Sequence, residues 1–275
     1  MPNLLVKPHS KTGHVLTVSP DSVKDQCPNW SYVGFEVHKL SAGEVLARET
    51  GAREVMLVVI SGRMNVQAGG ADLGALGARM TLWDRAKGHA LYVPSGSDWS
   101  ITAQTELELA ICSAPGKARH DIRVIRPDDA PLEARGQGAN TRYVHAICME
   151  ERDWADSLLV TEVWTPQGNW SSYPSHKHDT DDFPNETYLE ETYYHRLNPA
   201  TGFAYQRVYN DDRSLDENMA ASDGDVVLVP AGYHPCGAPY GYDLYYLNVM
   251  AGPRRNWRFT NDPDHDWIYQ RDLKG

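Results

Sequence analysis

Short runs of aliphatic, β-branched and aromatic residues recur along the whole chain, and none extends into a long stretch with a 3.6-residue apolar period. The runs 54–60, 91–93, 106–112, 158–164, 188–196, 203–209, 226–229 and 244–250 predict strands. Turn residues separate them: Ser61-Gly62, Pro94-Ser95-Gly96, Asn198-Pro199, Gly202 and Pro230-Ala231-Gly232. Many short strands, Gly/Pro turns and little helix imply an all-β chain built as barrels or sandwiches.

The pattern also repeats. Val93-Pro94-Ser95-Gly96-Ser97-Asp98 is echoed by Val229-Pro230-Ala231-Gly232-Tyr233-His234, an offset of 136 residues. A strand led by glutamate precedes each copy, and the echo pairs Glu54 with Glu191. Two copies of one barrel are expected, covering 1–125 and 126–275, with the connection inside 113–140, where Pro115, Gly116, Pro127, Pro131, Gly136 and Gly138 interrupt charged residues. The first copy has Asp98 where the second has a histidine, and no His-x-His precedes Glu54, so chemistry is expected in the second barrel only.

Composition narrows the partners. At 275 residues with 41% hydrophobic content the chain can bury a sizeable core. A net charge of -11 argues against nucleic acid or an anionic membrane as the main partner, while leaving an anionic small molecule open to local arginines. No apolar run is long enough to span a bilayer, and residues 1–10 lack the layout of a secretory leader, so a cytoplasmic protein is expected. The four cysteines (Cys27, Cys112, Cys148, Cys236) are scattered and read as buried thiols rather than a disulfide framework.

The candidate chemistry lies between Gly168 and Pro235. His176 and His178 stand at i and i+2, which on a strand puts both on one face. Glu191 and His234 complete a four-donor set of three nitrogens and one oxygen, suited to a borderline divalent cation with positions left open. Zinc is favoured, with manganese and iron also compatible. Parity decides between Glu190 and Glu191, and the face shared with Tyr193 favours Glu191 as the ligand. Catalytic candidates are Glu191, Tyr193 and His195. Arg207, Lys177 and Tyr205 are the candidate substrate contacts, Arg207 as a carboxylate clamp, although alternation turns Lys177 away from its flanking histidines. On the strand near 244–250, Tyr246, Asn248 and Met250 share one face, and only one face can line a pocket. The aromatic tail, with Trp257, His265 and Trp267, reads as packing over a barrel mouth or a subunit contact.

At these residues the chain resembles a cupin: His176, His178 and Glu191 match the first motif of that superfamily, and Gly224, Pro230-Ala231-Gly232 and His234 the second. The strings Gly168 to Pro174 followed by His176-Lys177-His178-Asp179, Leu189 to His195, Gln206 to Tyr209, Val229 to Pro235 and Tyr245 to Pro253 are similar to the 5-deoxyglucuronate isomerase family of myo-inositol catabolism. The resemblance implies two tandem cupin (jelly-roll) barrels with metal in the second. It also implies aldose–ketose isomerisation of 5-deoxy-D-glucuronate to 5-dehydro-2-deoxy-D-gluconate. Such a reaction needs either a base for the C2 proton, with Glu190, Tyr193 and His195 as the side chains on offer, or a hydride shift that needs none. The alternatives are an iron-dependent dioxygenase, which would take up oxygen, and a sugar-binding cupin, in which loss of His178 would change stability but not turnover. Self-association into a homo-oligomer is also expected.

Overall fold

The structure, a computed structural model, describes residues 3–272. Two β-sandwich barrels follow one another. In the first, a six-stranded sheet in the order Arg123–Ile125, Ala90–Val93, Arg53–Ser61, Leu107–Pro115, Gly34–Leu40, Gly13–Val18 faces a four-stranded sheet of Val45–Glu49, Asp98–Ala103, Met64–Ala68 and Ala71–Leu76. In the second, the large sheet runs Leu5–Val6, Val226–Val229, Glu190–Asn198, Asp243–Ala251, Leu159–Thr165, Arg142–Cys148, Leu132–Arg135. Its four-stranded mate is Trp170–Ser171, Cys236–Gly237, Phe203–Tyr209, Asp216–Ser222. The chain is an all-β tandem cupin. Strands expected at 203–209 and 226–229 form with those bounds, whereas Val45–Glu49 and Met64–Ala68, short runs mixing apolar with small and polar residues, carry no clear signal.

The division at residue 125 needs one correction. Leu5–Val6 pairs with Val226 and Val227 of the second barrel, the edge position that Arg123–Ile125 takes beside Ala90–Tyr92 in the first. The N-terminal strand therefore seals an edge of the other barrel, and removes a row of open backbone groups there.

Register also corrects the pairing of the glutamates. Val55 lies opposite Val93, and Glu191 lies opposite Val229 at the same place in the second barrel, so Glu191 matches Val55 and Glu190 matches Glu54. Glu54 and Glu190 point out of their barrels into the seam between them. The Glu54 carboxylate accepts backbone N–H bonds from Asp156, Ser157 and Leu158 at 2.6–2.7 Å, and Glu190 accepts the same from Ser31, Tyr32 and Val33 at 2.5–2.9 Å. Each barrel thus satisfies three otherwise orphaned donors at the start of a strand in the other.

The inward face tells the two barrels apart. In the first, the pairs Leu57–Ile111 and Val59–Leu109 are buried in an apolar cluster with Met64, Val66 and Ile101 from the opposing sheet. The corresponding pairs in the second are Tyr193–Asn248 and His195–Tyr246. Apolar side chains fill the first interior, and polar ones line the second.

A fully buried ion pair, Arg79 with Glu162, also crosses the seam, and the same carboxylate takes hydrogen bonds from His145 and Tyr245. Burial opposes ionisation of Glu162, but Arg79 and His145 outweigh it and lower its pKa to about 2. The folded state therefore holds this proton less tightly than an unfolded chain does. The associated stability is complete above the ordinary value of 4.5 and is lost as pH falls toward about 2. It is on the order of 3 kcal/mol. Denaturant midpoints measured from pH 5 to pH 3 should fall steeply for the native chain and more gently for Glu162→Gln.

Candidate metal centre

His176 lies on the two-residue strand His176–Lys177, which pairs with Thr260–Asn261 of the C-terminal tail. His178 follows it, and its carbonyl accepts the N–H of Leu189 at 3.0 Å, bringing the far end of the long 179–190 loop back beside it. Glu191 starts the inward face of Glu190–Asn198. His234 sits just past the turn at Gly232, whose φ is +89° and where a Cβ would lie 2.4 Å from the Tyr209 carbonyl oxygen; only glycine fits. Asp179 accepts the Gly232 N–H at 2.9 Å, tying the segment of His178 to the turn of His234.

The ligand atoms of His176, His178 and His234 lie within 4.8 Å of one another. Glu191 Oε2 is 2.9 Å from His178 Nε2 and 3.0 Å from His234 Nε2. The tautomers follow from the other ring nitrogens. Nδ1 of His178 donates to the Leu189 carbonyl at 3.1 Å, and Nδ1 of His234 donates to the Gly232 carbonyl at 2.8 Å, so each Nε2 presents a lone pair. His234 Nε2 is buried with no aligned hydrogen-bond donor. Lone pairs and a carboxylate oxygen facing one another in a buried space repel unless a cation sits among them. The residues fit a divalent metal.

Burial disfavours the Glu191 carboxylate, and positive charge on His234 and His178 more than compensates and holds its pKa well below the usual range; a cation would supply that charge when both rings are neutral. Burial, with His234 and His178 nearby, pushes His176 well below an ordinary imidazole, so it is neutral and able to ligate. Asn248 Nδ2 donates to the second oxygen of Glu191 and fixes the carboxylate.

Beside the cluster is a cavity of about 490 Å³ lined by His176, Glu191, Tyr193, Tyr246, Asn248 and Arg142, among others. The face of Tyr246, Asn248 and Met250 is the one that looks inward. Tyr193 shares a hydrogen bond with Ser172 at 2.8 Å, and Tyr246 one with Ser171 at 2.6 Å. Ser172 reaches Tyr193 from a left-handed backbone conformation, φ +50°, a strained state for a side-chain-bearing residue at a cavity wall. Trp257 and Phe259 of the tail pack on the His176 ring at 6.1 and 4.8 Å, so this part of the tail closes the barrel mouth, while Trp267 stays exposed.

Five expected residues are elsewhere. Arg207 makes a double ion pair with Asp216 (2.7 Å for both bonds), and Tyr205 hydrogen-bonds to Asn218 across the same hairpin. Both point outward because Ala204, Gln206 and Val208 take the inward positions of that strand. Lys177 turns to Asp211 at 2.6 Å and Asp179 at 3.3 Å, away from the cavity. His195 is buried beneath Tyr193, bonded to Gln206 at 2.8 Å, and burial lowers its pKa to about 4. Glu190, in the seam, faces no substrate. The residues missed by sequence reasoning are Arg142, Ser171 and Ser172; Arg142 opens a strand on the inward face of Val144, but that phase is readable only once the sheet is known.

A second histidine group, His14, Glu36 and His38, lies on the first barrel. Arg48 Nη1 donates to both Glu36 oxygens at 2.9 Å, so a guanidinium already neutralises the carboxylate a cation would use.

Comparison with known proteins places these features. The chain is 50% identical over 275 residues to a 5-deoxy-glucuronate isomerase of Geobacillus kaustophilus, covering 99% of this chain and 98% of that one. It is 42% identical over 278 residues to the 5-deoxy-glucuronate isomerase of Bacillus subtilis, covering 98% of this chain and 100% of that one. The crystal structure of an IolB-like protein from Salmonella typhimurium superposes with a TM-score of 0.93 at 48% identity, over 97% of this chain and 99% of that chain. An oxalate decarboxylase of Bacillus subtilis shares the fold alone, with a TM-score of 0.66 at 13% identity, over 95% of this chain and 80% of that chain. The KduI/IolB family model matches residues 4–268, and the chain belongs to that family.

Proposed function

We infer that the chain is an aldose–ketose isomerase that converts 5-deoxy-D-glucuronate to 5-dehydro-2-deoxy-D-gluconate, with a divalent cation held by His176, His178, Glu191 and His234. The observation that carries this reading is the buried four-donor cluster opening on a polar cavity, in a chain whose full-length relatives are 5-deoxy-glucuronate isomerases. The reaction moves one hydrogen from C2 to C1 and leaves the redox state unchanged. A bound cation supplies Lewis acidity to the C1 and C2 oxygens. Because no redox change is needed, zinc suffices, and three imidazoles with one carboxylate suit it.

The protein's own groups position the rest. Asn248 holds Glu191 in its ligating orientation. The paired hydroxyls of Tyr193 with Ser172, and of Tyr246 with Ser171, offer donors and acceptors to the sugar hydroxyls and can hold a proton next to the reacting carbons. Trp257 and Phe259 shield the His176 side from water. The setting accords with a cytoplasmic enzyme: the four cysteines are buried free thiols, as suits a reducing compartment, and no helix of the described residues is long and apolar enough to cross a membrane.

The test is an NMR assay on 5-deoxy-D-glucuronate without oxygen. Metal-stripped protein should lose more than about 100-fold in turnover, and added zinc should restore it. Full turnover by protein shown to be metal-free would refute the reading, as would a strict requirement for oxygen.

A further inference from the structure

Three guanidinium groups border the cavity, those of Arg135, Arg142 and Arg152. Two of them are already engaged. Arg135 bonds to Glu133 at 2.9 Å, and Arg152 stacks over Trp154 at 4.9 Å. Arg142 donates only to the Asn140 backbone carbonyl, at 3.1 Å, and no carboxylate among the described residues forms an ion pair with it. Its place in the sheet is fixed. Arg142 pairs with Arg135 in the register of the last two strands, and it shares the inward face of its strand with Val144 and Ala146, which also line the cavity.

A poorly solvated cation without a counter-ion is costly, and the burial of Arg142 is enough to weaken its hold on its proton. The groups that act on it are Tyr246, the like-charged Arg135 opposite it, Cys236 and Tyr193, and none of them is a carboxylate. The cavity wall thus presents the Glu191 carboxylate of the metal cluster, the hydroxyls of Tyr193 and Tyr246, and the Arg142 guanidinium. A six-carbon uronate offers a partner for each kind of group: its reacting aldehyde and hydroxyl are at C1 and C2, and its one negative charge is at C6. Arg142 also borders a second, adjoining cavity, together with Trp257 and His176, so the guanidinium stands where the two spaces meet.

We propose that Arg142 binds the C6 carboxylate of the substrate and thereby makes the site select a sugar acid over a neutral sugar. The inference rests on the isomerase reading above and deepens it. A planar guanidinium can engage both carboxylate oxygens, an arrangement that lysine cannot reproduce. Arg142 thus takes the role that the Asp216 ion pair denies to Arg207.

The experiment compares the zinc-loaded native enzyme with Arg142→Gln and Arg142→Lys on 5-deoxy-D-glucuronate and on the neutral 5-deoxy-D-glucose. For Arg142→Gln, KM for the acid should rise about 100-fold with a smaller fall in kcat, and the kcat/KM preference for acid over neutral sugar should drop by a similar factor. Bound zinc should stay at the native level, which separates substrate recognition from damage to the metal centre. Arg142→Lys should fall between the two, with KM raised about 10-fold. A KM within threefold of native in either folded variant overturns the proposal. If Arg142→Gln fails to fold, the lysine variant decides alone. A native enzyme that is inactive on the acid with zinc restored overturns the isomerase reading instead.

Discussion

Glu191→Gln should lower kcat/KM for 5-deoxy-D-glucuronate by more than about 1,000-fold, together with a loss of bound metal. The substitution keeps the volume of the side chain, and Asn248 can still bond to the amide oxygen, so the barrel should remain folded. What disappears is the one formal negative charge facing three imidazoles, on which affinity for a dication depends. His178→Ala should behave the same way, because its Nε2 lone pair is aimed by the Leu189 carbonyl and nothing nearby replaces it. Metal analysis, the NMR assay and circular dichroism on each variant check the prediction. Native turnover in a folded Glu191→Gln protein would remove Glu191 from the centre. A merely sugar-binding barrel would show no dependence of turnover on His178.

The neighbouring residue should give the opposite result. Glu190→Ala is expected to destabilise the chain by about 2–4 kcal/mol, because the buried Val33 and half-buried Tyr32 N–H groups would be left with no acceptor and Ser31 would lose its bond. Below its unfolding transition the variant should retain its metal and turn over at close to the native rate. Glu54→Ala should lose stability by a similar amount, since it takes three backbone donors from the second barrel and a fourth bond from Tyr92 at 2.8 Å. Denaturant titration and metal content, measured on the same samples, separate the two glutamates. If Glu190→Ala lost metal and kept its stability, the assignment of the pair would be reversed.

These two adjacent carboxylates show what strand alternation can and cannot say. It puts Glu190 and Glu191 on opposite faces, and the shared face with Tyr193 turns Glu191 toward the cavity. At the 136-residue offset of the echo Glu54 falls on Glu190, and pairing it with Glu191 takes a one-residue slip, which leaves the local pattern looking the same while exchanging interior for seam. The strand Phe203–Tyr209 misled in a related way. Its bulky residues Phe203 and Tyr205, with Arg207, face outward, and the smaller Ala204, Gln206 and Val208 face in, so size and charge drew attention to the wrong side.

The chain's own order of residues determined the all-β class, most of the strands around the second site, the His-x-His pair and the glycine turn that carries His234, since each depends on backbone preferences and on neighbours a few positions away. Tertiary structure alone decided that Leu5–Val6 closes the second barrel, that two glutamates staple the barrels together, and that Arg142 rather than Arg207 or Lys177 faces the cavity. Those outcomes depend on which sheet face is enclosed and on partners about a hundred or more residues apart in the chain, such as Ser31 with Glu190, and no local periodicity encodes them.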